Sequence, residues 1–153
     1  MVENVFFFDS ASAQQDIGLR LAASMPAGAI QIHMQSALLA PVETYTAWAN
    51  FSDGSRDPIR LGGRFNSDLV RSLRKVMYEP EAGSWYSAIF AANPDGSLTS
   101  SFNYDEEPDW DAPVDPIAYV TDQEKFPRDE ANQPDWLKQC LAEGRESLAE
   151  RGD

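Results

Sequence analysis

Residues 29–35, Ala29-Ile30-Gln31-Ile32-His33-Met34-Gln35, alternate apolar and polar side chains. A period of two places Ile30, Ile32 and Met34 on one side of an extended chain and Gln31, His33 and Gln35 on the other, the pattern of a half-buried strand. Downstream, residues 44–51 predict a second strand with Tyr45, Ala47 and Ala49 on one face. Ser52-Asp53-Gly54-Ser55 then reads as a hairpin turn, because glycine accepts the positive φ that tight turns require. A short third strand is predicted over 58–61, before Gly62-Gly63 breaks the chain. Ser84–Ala92 and Leu98–Tyr104 read as a second hairpin around Asn93-Pro94-Asp95-Gly96.

Helical signals punctuate these strands. Upstream, residues 12–25 predict a helix capped by Ser10 or Ser12, with Ile17, Leu21 and Met25 on one face and Pro26 and Gly28 ending it. After the third strand, Asn66 or Ser67 caps a helix in which Leu69, Val70, Leu73, Val76 and Met77 fall at i, i+1, i+4, i+7 and i+8. Glu79-Pro80 stops it. Residues 116–125 read as either helix or strand, since the period there decides nothing. Pro134 suits the first position of a C-terminal helix, whose apolar stripe comprises Trp136, Leu137, Cys140, Leu141 and Leu148. The order predicts an α+β fold: one domain over 1–153, an antiparallel sheet of about four to five strands, and helices packed mainly on one face. Leu69, Leu73, Val76, Trp136 and Leu137 are expected in the core.

Charge narrows the function. The 153 residues hold 12 Lys and Arg against 25 Asp and Glu, a formal net charge of −13, while a hydrophobic fraction of 42% supports a real core. Such a surface repels polyanions, which argues against nucleic acid and anionic membranes as partners. One cysteine excludes an internal disulfide and fits a reducing compartment. The apolar run Val5-Phe6-Phe7-Phe8 follows Glu3 rather than basic residues and is too short for a signal peptide, so a cytoplasmic location is expected.

Catalytic and metal signals are weak. His33 is the single histidine and sits on the polar side of its strand, where a structural role outweighs general-base chemistry. Cys140 lies on an apolar stripe and reads as a small buried hydrophobe. Gly62-Gly63 lacks the further glycine and lysine of a phosphate loop; it is a turn, or a narrow tip able to enter a partner's cleft. Glu107, Asp109 and Asp111 alternate like the first ligands of a calcium loop, but the glycine at the sixth position and the closing glutamate are missing. No cofactor and no metal are expected.

The charge is also localised. Residues 1–104 have ten acids and seven bases; residues 105–153 have fifteen acids and five bases. The densest stretch is Asp105-Glu106-Glu107-Pro108-Asp109-Trp110-Asp111-Ala112-Pro113-Val114-Asp115-Pro116. Prolines stiffen a loop and lower the entropy lost on docking. A tryptophan amid carboxylates supplies an apolar anchor within a patch that steers basic partners.

The strand-like Ser97–Asp105, the acidic insert, Tyr119-Val120-Thr121-Asp122, Phe126-Pro127-Arg128 and Pro134-Asp135-Trp136-Leu137 together resemble the YezG-like immunity (antitoxin) proteins of bacterial polymorphic toxin systems, in particular their actinobacterial branch. The likeness covers about residues 85–140. It implies a non-catalytic cytoplasmic protein that binds and neutralises a cognate toxin, of the nuclease or NAD-degrading kind. The protein would act as a monomer or in a 1:1 heterodimer with that toxin. Asp105, Glu106, Glu107, Asp109, Trp110, Asp111 and Asp115, with Gly62 and Gly63, are the expected contacts with its basic cleft. The rival expectation is an acidic regulatory module, or nucleic-acid mimic, for another basic protein.

Overall fold

A computed structural model describes residues 9–61, 65 and 67–152. Five strands form an antiparallel sheet: β1 (Ala29–Leu39), β2 (Val42–Phe51), β3 (Arg56–Ile59), β4 (Ser87–Ala92) and β5 (Leu98–Asn103), in spatial order β3-β2-β1-β4-β5. The helices are α1 (Ser10–Ala23), α2 (Ser67–Val76), α3 (Ile117–Lys125) and α4 (Asp135–Arg151), with a 3₁₀ turn at Glu130–Asn132. The α+β class follows. None of the helices among the described residues is long and apolar enough to cross a membrane.

The chain divides into two compact units. The first comprises residues 1–36, 45–77 and 88–102. Here α1 packs with α2. Ile17 and Leu21 of α1, Leu69, Val70 and Leu73 of α2, and Ile32, Met34, Ala47, Ala49 and Phe90 of the strands are buried. Burial of each large aliphatic or aromatic side chain contributes about 1.5–3 kcal/mol. The cap of α1 is Asp9, rather than Ser10 or Ser12; its carboxylate accepts from the Ser12 N–H at 2.8 Å. Two loops of this unit use one device. In Asp53-Gly54-Ser55 and Asp95-Gly96-Ser97 the aspartate accepts from the serine N–H at 2.9 Å, and the glycine takes φ of +87° and +89°. The aspartate thus fixes the turn that the glycine makes possible.

The second unit comprises residues 37–44, 78–87 and 103–153. Here α3 packs with α4. Their approach depends on Gly144, since a Cβ there would lie 2.6 Å from both the Pro116 carbonyl oxygen and Val120 Cγ2. The core is Leu39, Tyr86, Ala118, Tyr119, Val120, Leu137 and Leu141. Asp122, buried on α3, accepts from the Ala40 N–H at 2.7 Å and so holds the β1–β2 turn.

Several expectations shift. The undecided segment 116–125 is helical, and Pro134 is the residue before α4 rather than its first. β1 continues past Gln35 to Leu39, and β3 begins at Arg56 instead of 58. Leu69, Leu73 and Leu137 are buried as expected, whereas Val76 and Trp136 are half-buried. Leu148 leaves the apolar stripe: Gly144 is the last buried position of α4, and Leu148, one turn later, is 41% exposed.

Candidate functional site

The acidic stretch belongs to the second unit and rests on an aromatic floor. Tyr86, Tyr119 and Trp136 meet edge to face in a triangle, with ring centroids 5.5–6.2 Å apart. That is the favoured geometry for aromatic pairs. Trp110 and Val114 pack against this core from the loop, and Cys140 packs against it from α4. The Trp110 indole N–H donates to the Tyr119 hydroxyl at 2.9 Å. Burial pushes the Tyr119 phenol well above the usual tyrosine range, and the same cause, reinforced by Glu107 and Glu143, raises the Cys140 thiol.

The loop is tied down along its length. At its start, the Trp136 indole N–H donates to the Asp105 carbonyl at 2.8 Å. The Asn103 side chain accepts from the Glu106 N–H and donates to the Glu106 carbonyl, both at 2.9 Å. In the middle, Pro108 is buried and Trp110 is held as described. At its end, the Asp115 carboxylate accepts from the Ile117 N–H at 2.9 Å, opening α3, and from Arg151 at 3.4 Å.

Beneath the start of the loop lies Arg128. It is buried, with its guanidinium carbon 4.7 Å from the Tyr86 ring centroid. Its Nη2 donates to the carbonyls of Ser84 at 3.1 Å and Tyr104 at 2.6 Å, and its Nη1 to that of Asn132 at 3.1 Å. The Asp105 carboxylate is 3.7 Å away, but it is 83% exposed. Carbonyls and an aromatic face, rather than a buried counter-ion, therefore hold most of this cation.

The expected contact residues divide accordingly. Asp105, Glu106, Glu107, Asp109, Asp111 and Asp115 are all exposed on one loop. Trp110 is half-buried, and its N–H is engaged inside the unit, so it holds the loop down as much as it presents a surface. Gly62 and Gly63 lie outside the described residues. The supports carry no charge-cluster or periodic signal of their own: Asn103, Tyr119 and Arg128 are scattered through the chain, and only folding brings them under the loop. Charge follows the same division. By sequence the first unit holds seven acids and seven bases, while the second holds eighteen acids and five bases.

His33 lies in the first unit. Its Nε2 is 2.7 Å from the Gln31 side-chain oxygen and its ring stacks on Trp48. Partial burial, and then the Arg56 charge, hold its pKa below the ordinary histidine value. Its polar partner is an amide, so among the described residues no carboxylate orients this histidine. Among the described residues, no group of three or more His, Cys, Asp or Glu side chains is placed to hold a metal ion.

No protein-family model matches the chain, and no curated protein matches it.

Proposed function

We propose that the chain is an immunity protein: a non-catalytic binder that neutralises a cognate toxin enzyme by laying the 105–115 loop over a basic active-site cleft. The supporting observation is that six exposed carboxylates sit on a loop fixed at both ends and in the middle. A pre-ordered loop loses little entropy on docking. Clustered charge accelerates encounter with an oppositely charged cleft. The resemblance of residues 85–140 to YezG-like immunity proteins points to the same role, in the cytoplasm of the toxin-producing cell.

The test is association with a toxin domain sought first among the products of neighbouring genes. Reversing three carboxylates, in the variant E107K/D109K/D111K, should lower the association rate by about tenfold at low salt and flatten its salt dependence. Unchanged kinetics would remove the loop from the interface. Tight capture of a basic host protein instead of the toxin would favour the acidic regulatory module or nucleic-acid mimic.

A further inference from the structure

The first unit carries a separate surface on the outward side of its strands. His33 and Trp48 lie face to face, with ring centroids 5.4 Å apart and planes 7° apart. On the neighbouring strand, Pro58 stands across from Trp48 and Arg56 across from Asn50. The Arg56 guanidinium carbon is 5.0 Å from the indole centroid, within cation–π range. Strand β2 lies between β1 and β3, so His33 and Arg56 flank the indole from its two sides. Gln31 holds His33 at 2.7 Å and donates to the Asn93 side chain at 3.3 Å. A chain of five side chains is thereby fixed without a ligand.

Two properties of this face select its partner. The first is charge. In a protein of net charge −13, none of the outward positions 31, 33, 35, 46, 48, 50, 56, 58, 89, 91, 99 and 101 is Asp or Glu. Arg56 is exposed and forms no ion pair with a carboxylate among the described residues. A guanidinium presents a planar fork that matches a carboxylate. The second is the indole itself. His33 stacks on the ring and the Arg56 guanidinium lies over it, so little π-surface is open for a nucleobase to stack on; what the indole offers is an edge. Prearranged Trp and Arg side chains are also the types that dominate protein–protein contact energies.

We infer that this face is a docking surface for an extended protein segment that sets a carboxylate against Arg56 and an apolar side chain against the edge of Trp48. It is distinct from the acidic loop in residues and in the sign of its charge, and it holds whether or not the loop binds a toxin.

The experiment is an NMR titration of the isotope-labelled full chain with three probes: a blocked octapeptide alternating Glu and Val, its Lys–Val counterpart, and oligothymidylate. The Glu–Val peptide should shift the Trp48 indole N–H and the Gln31 side-chain amide saturably. Arg56→Gln, a change at an exposed position, should weaken that binding by about tenfold while leaving the rest of the spectrum in place. Trp48→Phe should weaken it as well. Preference for the Lys–Val peptide or for oligothymidylate would overturn the inference. So would the absence of a saturable shift, or shifts that follow protein concentration alone and so report a second copy.

Discussion

In the first unit seven acids balance seven bases; in the second, eighteen acids face five bases. The two are held together differently as well. The first relies on alternating strands, two amphipathic helices and a repeated Asp-Gly-Ser turn. The second buries Arg128, Asp122 and three aromatic rings to support a loop of exposed carboxylates. Like charges crowded on one unit repel and oppose its compact state. The acidic unit therefore retains a destabilising surface and offsets it from within.

The sharpest way to break this contrast is to remove the internal support. Arg128→Met leaves the carbonyls of Ser84, Tyr104 and Asn132 without their donor. Its cost should be about 3–5 kcal/mol, read from the urea midpoint. A loss below 1 kcal/mol would show that the guanidinium is not what fixes the loop. Gly144→Ala should cost about 1–3 kcal/mol by forcing α3 from α4, measured in the same way.

Titration probes the aromatic floor. The folded chain keeps the Tyr119 proton at a pH where the unfolded chain has released it. The stability this contributes is full below about pH 10 and falls as the pH rises past that value. Urea midpoints between pH 8 and 11 should show the decline, and Tyr119→Phe should flatten it. An equally steep decline in that variant would assign the effect elsewhere. The smallest effect is expected at the surface: E107K/D109K/D111K should change stability by no more than about 0.5 kcal/mol while altering association with a basic partner. A large loss of stability would mean that these carboxylates hold the fold, and a large gain that their repulsion strains it.

Legibility differed between the units in the same way. The periods of Leu69–Val76 and of residues 29–35 announced α2 and β1 because each element has one wet face. Ser36-Ala37-Leu38-Leu39 is buried on every residue, so alternation ended at Gln35 while the strand continued. In the second unit the acidic stretch was conspicuous, but its supports were not. Nothing in sequence reveals that Arg128 is buried against Tyr86. Trp110 reads as an apolar anchor inside a charged patch because its neighbours are charged; its hydroxyl partner, Tyr119, comes within reach only when α3 forms. Leu148 matched the stripe of α4, yet the buried part of that helix ends at Gly144.

The bond from Asp122 to the Ala40 N–H joins residues 82 positions apart. Each unit is stitched from three separate stretches of chain. Neither can be excised as one continuous fragment, and a single recombination crossover cannot graft the acidic unit onto another protein. On the ribosome, the turn after β1 must wait for α3 to emerge before it gains its cap. The loop therefore acquires its foundation only after α3 and α4 have been made.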